Sequence, residues 1–270
     1  DPTKVDVYGG FTGVEIINMG TRQVDYEAAL KALEFWDRMN IKGEQKYFGI
    51  ANSDGHFSRG GNAPINTAYS GYLLDELTEE AVNDALKNGR LFGTNGPELR
   101  FTLAGAEMGD TLQTKENTAV LSLTAYSAYS PLTRVSLYEI PVNAGDNQAG
   151  YAAKREIVLF DDPDGGKGQY AFAFEDAVEI RDDCLYRVEV HALATEDQYF
   201  QMAFSNPIWV EKESAVYTVT ADAGEGTVIR ADSAVPHGGN LEIQVSTLEG
   251  YDQSAPALLV NGQRVMLQSG

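Results

Sequence analysis

An α/β portion followed by an all-β sandwich and a small all-β module is the architecture this sequence predicts, and three observations carry it. Short apolar runs alternate with helix-periodic stretches up to about residue 95. Near Pro97 the hydrophobic period changes from 3.6 to two. The last 56 or so residues, beyond "EKES" (211 to 214), are rich in glycine turns. The boundaries expected from these changes are 1–96, 97–212 and 213–270.

In the first portion "GVEIIN" (13 to 18) reads as a short strand. "DYEAALKALEFWDRMNIKG" (25 to 43) sets Ala29, Leu30, Leu33, Trp36 and Met39 at helical spacing, with Gly43 as its stop. "KYFGIAN" (46 to 52) is a second strand. In "LTEEAVNDALKNGR" (77 to 90) Thr78 suits the N-cap, Glu79 and Glu80 the positive end of the helix dipole, and Gly89 the C′ position. "TNGP" (94 to 97) is the turn expected to hand the chain to the sandwich.

From there "LRFTLAG", "AVLSLTAYS", "TRVSLYEI", "REIVLF", "YAFAFE", "YRVEVHALA" and "AFSNPIWV" alternate apolar and polar residues between Gly, Asp, Asn and Pro. That is how strands of a sandwich with one buried face read, and no helix longer than two turns is expected after residue 110. In the last block Gly250-Tyr251 and the hairpin signal Asn261-Gly262 suggest a small all-β module. At this size, without a disulfide, such a module is marginal alone.

A composition of 43% hydrophobic and 22% charged residues is that of a folded globular protein. The formal net charge of -20 disfavours polyanionic partners, because binding phosphates takes clustered cations; nucleic acid and anionic membrane surfaces are excluded as partners on this ground. No apolar run approaches the roughly 20 residues that span a bilayer. The lone cysteine, Cys184, heads an alternating run and reads as a half-buried structural thiol; an intrachain disulfide is impossible.

The chemistry concentrates in "GIANSDGHFSRGG" (49 to 61). A strand here delivers Asp54 and His56 to its C-terminal end, where ligand sites lie in barrels and open α/β sheets. A carboxylate oxygen and a ring nitrogen two residues apart can converge on one divalent cation, although a metal needs further ligands. A polar loop that happens to contain a histidine is the plainer alternative. Arg59 can clamp an anionic substrate group or simply be a solvated loop arginine. Glu15, near the end of the neighbouring strand, can hold a ligand or metal-bound water, or satisfy local backbone. Asn18 reads as a turn former or a polar contact in the cleft, and His191 as a sheet-face histidine.

"GVEIIN", the helix ending "ALEFWDRM", "GIANSDGH", "LTEEAVNDALKNGRLFGTNGPELRF" and "AGAEMGD" follow one another over roughly a hundred residues in an order that resembles the C-terminal half of a PHP domain, of the CehA/McbA-like metallohydrolase branch. The resemblance implies part of a distorted β/α barrel, two or three divalent ions (zinc, manganese or iron), and hydrolysis of phosphate or related esters. It makes Asp54 and His56 metal ligands. The family's opening His-x-His motif and middle histidines have no counterpart here, which implies a chain starting in mid-barrel and a 270-residue piece inactive by itself. Loosely, the last block resembles the repeats of bacterial surface proteins, which implies an extracellular or cell-surface protein; otherwise the expectation is cytoplasmic.

Two functions follow. In one, a metal-dependent, phosphoesterase-like hydrolase acts on a small anionic or ester substrate, with Asp54 and His56 as ligands and Glu15 and Arg59 as catalytic residues. In the other, a decayed barrel serves as a non-catalytic surface binding or spacer module. Exposed barrel strands would in either case invite self-association.

Overall fold

The computed structural model describes residues 3, 5, 10–18, 24–43, 45–54, 67–142, 147–195, 200–213, 216–236, 240–251, 257–260 and 263–265. At 48% strand and 15% helix the protein is mostly β, built from several sheets. It divides into two compact units, Asp1–Lys212 and Glu213–Gly270.

The first unit opens with a βαβ crossover. Strands β1 (Gly13–Asn18) and β2 (Phe48–Asn52) pair in parallel, joined by α1 (Val24–Ile41). Parallel strands need such a crossover because a tight turn can only reverse the chain. The α1 face that packs inward carries Ala29, Leu33, Trp36 and Met39, which join Ile16, Ile17 and Ala51 in one core. Leu30, expected on this stripe, is exposed, since one residue of helix rotates it by about 100° off the buried face. The Trp36 indole N–H donates to the Tyr47 carbonyl at 2.7 Å and so fixes the chain entering β2.

Strands β3 (Tyr69–Tyr72) and β4 (Leu91–Thr94) flank α2 (Glu79–Asn88). The α2 caps are those expected: Thr78 Oγ1 accepts from the Ala81 N–H at 3.1 Å, and Gly89 sits in the left-handed region at φ 71. A side chain at Gly89 would also collide with the Phe48 ring.

Strands β3 and β4 belong to the large sheet of the sandwich. That sheet runs β3, β4, β12 (Gln201–Ser205), β11 (Cys184–Ala192), β13 (Ile208–Lys212) and β6 (Thr111–Thr114). The other edge of β11 pairs with β8 (Leu132–Pro141), which pairs in turn with β9 (Arg155–Asp161). The "TNGP" turn therefore passes the chain between the two sheets of one sandwich: β5 (Glu98–Leu103), β7 (Thr118–Tyr126) and β10 (Ala171–Glu179) form the facing three-stranded sheet. Inward residues of both, among them Phe101, Leu121, Leu123, Leu137, Val188 and Val190, make the main core. After residue 110 the described helix is α3 (Asn147–Ala152), six residues and so under two turns. Glu211 and Lys212, the start of "EKES", finish β13.

The second unit consists of three antiparallel pairs: β14 (Val216–Thr218) with β16 (Ala234–Pro236), β15 (Thr227–Ala231) with β17 (Ile243–Thr247), and β18 (Leu258–Val260) with β19 (Gln263–Val265). Asn261 and Gly262, between the last two, lie outside the described residues, as does His237. Leu248, Leu259 and Val265 are exposed, so the described residues of this unit close little apolar core.

Candidate functional site

The βαβ unit brings the carboxyl ends of β1 and β2 side by side, with Asn18 in register with Asn52. Between Glu15 and Ile17 the pairing slips by one residue. The Glu15 carboxylate lies between two amides: Asn52 donates to Oε1 at 2.8 Å and Asn18 to Oε2 at 3.1 Å. Two amide bonds on an exposed carboxylate fix its plane while each oxygen keeps a second acceptor position. Asn18 is thus a strand-end donor to Glu15, and the residues that would form a turn after it, 19 to 23, lie outside the described residues.

Asp54 follows β2 by two residues, exposed and in the left-handed region at φ 48. Asp tolerates this conformation better than most residues because its short side chain bonds locally. His56 and Arg59 lie outside the described residues. Among the described residues no three His, Cys, Asp or Glu side chains gather as a metal group. The structure therefore sets Glu15 in the middle of β1, opposite Ile50, rather than near its end; its carboxylate reaches forward to the amides at the two strand ends, Asp54 lies just past the end of β2, and Asn52, which the sequence reading passed over, joins them. Its signal was present: Asn18 and Asn52 both end short apolar runs, and only their register was hidden.

The opposite edge of β2 is held to the sandwich by side chains. Asn206, fully buried, accepts from the Gly49 N–H at 2.7 Å and donates to the carbonyls of Gly49 and Leu91, each at 3.0 Å. Ser70 Oγ does the same for Ala51, accepting from its N–H at 3.0 Å and donating to its carbonyl at 3.1 Å. Phe204 lies so close against Gly49 and Gly93 that a Cβ on either would collide with its ring. This places the carboxyl end of β2 beside that of β4.

Behind the site a buried ion network ties α1 to the large sheet. Arg187 on β11 is fully buried and grips Asp37 on α1 through two bonds, Nε to Oδ1 at 2.8 Å and Nη2 to Oδ2 at 2.9 Å. It also bonds Glu189, which lies 3.5 Å from His191 Nε2. Lys154 reaches Asp37 Oδ2 at 2.8 Å while resting over the Tyr138 ring. Burial works against the charge on Glu189, yet Arg187, with His191 and Lys154, holds its carboxyl well below the usual range.

Cys184 is buried at the head of β11, the structural thiol the sequence suggested, and burial pushes it up to about 12. Thiolate is the reactive form, so native protein at pH 8 is expected to resist iodoacetamide and to label in denaturant. Prompt native labelling, read by intact mass, would contradict this burial.

Among the described residues, no helix is long and apolar enough to cross a membrane. Compared with family models, curated proteins and solved structures, the chain matches none.

Proposed function

We propose that this chain carries part of a metal-dependent, phosphoesterase-like hydrolase related to the PHP-domain metallohydrolases. The observation that carries this reading is the meeting of Glu15, Asn18 and Asn52 at the carboxyl ends of two parallel strands, with Asp54 leaving the same end. In barrels and open α/β sheets that end is where sites are built. Carboxylate oxygens such as those of Asp54 suit a hard divalent cation, and His56 would add an imidazole nitrogen. A zinc, manganese or iron ion held there would lower the pKa of a water and polarise an ester.

In this reading Asp54 and His56 are ligands, and Arg59 holds the anionic group of a small ester in two-point geometry. Glu15, fixed by its two amides, orients a polar ligand from the next strand. Two ligands leave most of a coordination shell to water, so the 270-residue chain alone should bind metal only weakly. The edge of β1 away from β2, unpaired among the described residues, would then be covered by further barrel strands or by a second copy.

Hydrolysis of bis(p-nitrophenyl) phosphate with Mn²⁺ or Zn²⁺, by the protein that contains this chain, tests the proposal. Asp54→Ala and His56→Ala should each lower kcat/KM by about a hundredfold or more, roughly 3 kcal/mol of barrier. Activity retained in the double variant would exclude the metal reading.

A non-catalytic surface module is the second reading. Its support is the way the βαβ unit is fastened into the sandwich by Arg187, Asp37 and Asn206, as a scaffold would be. An extracellular, cell-surface setting belongs to either reading.

A further inference from the structure

Three tyrosine rings and one carboxylate share the end of the sandwich next to the carboxyl end of β2. Tyr69 immediately precedes Ser70, the residue bound to Ala51, and pairs with Thr94 at the end of β4. Its hydroxyl donates to Glu98 Oε1 at 3.3 Å. Glu98 stands directly opposite Tyr126 in the β5/β7 pair, so both side chains leave the same outward face of the sheet. Tyr129 follows in the turn after β7, and its phenol lies near enough to Tyr69 to help raise that pKa, after burial and Glu98. The rings are 40% (Tyr69), 51% (Tyr126) and 84% (Tyr129) exposed.

The platform beneath them is rigid. Asn95 donates through Nδ2 to the Phe200 carbonyl at 2.9 Å and through its backbone to the Met202 carbonyl at 3.1 Å. The Met202 N–H donates back to Asn95 Oδ1 at 2.7 Å, and the Gly96 N–H to Thr94 Oγ1 at 2.9 Å. These bonds fix the turn that delivers Glu98.

The chemistry of the patch selects its ligand. Arg100, next along the same face, is paired with Glu107 at 2.8 Å, which leaves Glu98 to set the local charge. Phosphates, nucleic acid and anionic lipid are repelled by such a surface. Three rings at about 150–250 Å² each, two of them already about half covered, fall short of the roughly 800 Å² per partner of a stable protein interface. A ring 84% exposed is no wall of an enclosed cage, which a quaternary ammonium ion requires. What remains is a ligand with flat C–H faces to lie on the rings and hydroxyls to donate to Glu98.

We propose that Tyr69, Tyr126, Tyr129 and Glu98 form a binding subsite for a neutral saccharide, beside the end of β2 that leads to Asp54. The rings supply apolar contact at small entropic cost, and the carboxylate orients the sugar through its hydroxyls. The subsite does not depend on a metal at Asp54.

Isothermal titration with neutral hexasaccharides of β-1,4-glucose, β-1,4-N-acetylglucosamine, α-1,4-glucose and α-1,6-mannose tests it on the 270-residue chain. At least one should bind, and Tyr126→Ala, Tyr129→Ala and Glu98→Gln should each weaken that binding by about tenfold or more. Tyr129 is so exposed that its variant will keep the native melting temperature. Asp54→Ala should leave saccharide affinity unchanged, which separates this subsite from the metal reading. Failure of all four sugars to bind, variants that bind as the parent does, or choline binding in their place would overturn the proposal.

Discussion

Arg187→Met is expected to destabilise the first unit by about 3–5 kcal/mol, the usual cost of removing one partner from a buried ion pair. The variant leaves Asp37 and Glu189 buried without their shared guanidinium, with Lys154 as the remaining cation on Asp37. Urea unfolding at pH 7 followed by tryptophan fluorescence reads it directly, because Trp36 lies on the same helix, under the Arg187 guanidinium. Replacing the set, as Asp37→Leu, Arg187→Met and Glu189→Leu together, should recover much of the loss, since no fully buried charge is then stranded and the partly exposed Lys154 can turn to water. A loss below about 1 kcal/mol in the single variant would mean that water reaches the network.

The same network fixes the sign of the acid response. Glu189 has a depressed carboxyl in the folded state. Its stabilising contribution is complete above the unfolded value of about 4.3 and is lost as pH falls below that toward the folded one. The parent should therefore weaken between pH 5 and lower values more steeply than the triple variant does.

Asn206→Leu should have the second largest effect. Its amide serves three backbone groups, and the Gly49 N–H left unpaired costs about 1–3 kcal/mol by itself. The loss falls on the edge that holds β2 beside β4. Hydrogen exchange at Gly49 should accelerate by roughly 10- to 100-fold, while the β7/β10 pair should change only with global stability. Equal acceleration in both places would show that the whole unit opens together, rather than β2 alone.

Much of this architecture could be read from residue order. The helical spacing of Leu33, Trp36 and Met39, the caps Thr78 and Gly89, and the alternation of β5 and β7 all follow from local rules that tertiary contacts did not override. The polar positions of "YRVEVHALA" misled, because alternation predicts Arg187 and Glu189 in water. They are covered by α1, and Asp37 makes that burial tolerable. Nothing local to either segment shows that their charges meet, at a separation of 150 residues. Likewise β4 lies where the sequence reads only as the end of one helix and a turn, and its pairing with β12 was not legible either, since register between distant strands leaves no local mark. At the site, Asp54 was marked by its place just past a run end, whereas Glu15 sits mid-strand and the amides flanking it depend on the pairing of Asn18 with Asn52.

The pairing of β4 with β12 also sets an order of assembly during synthesis. Thr94 must wait for Met202, 108 residues later, before that edge of the large sheet can close. At ribosomal speeds this is a delay on the order of 5–20 s. For that interval Gly93 and the β2 edge stand without Phe204 and Asn206 against them. A ribosome-bound chain stopped near residue 195 should therefore expose an apolar sheet edge that holdase chaperones bind, and release of that binding should coincide with emergence of β12 rather than with completion of the βαβ crossover.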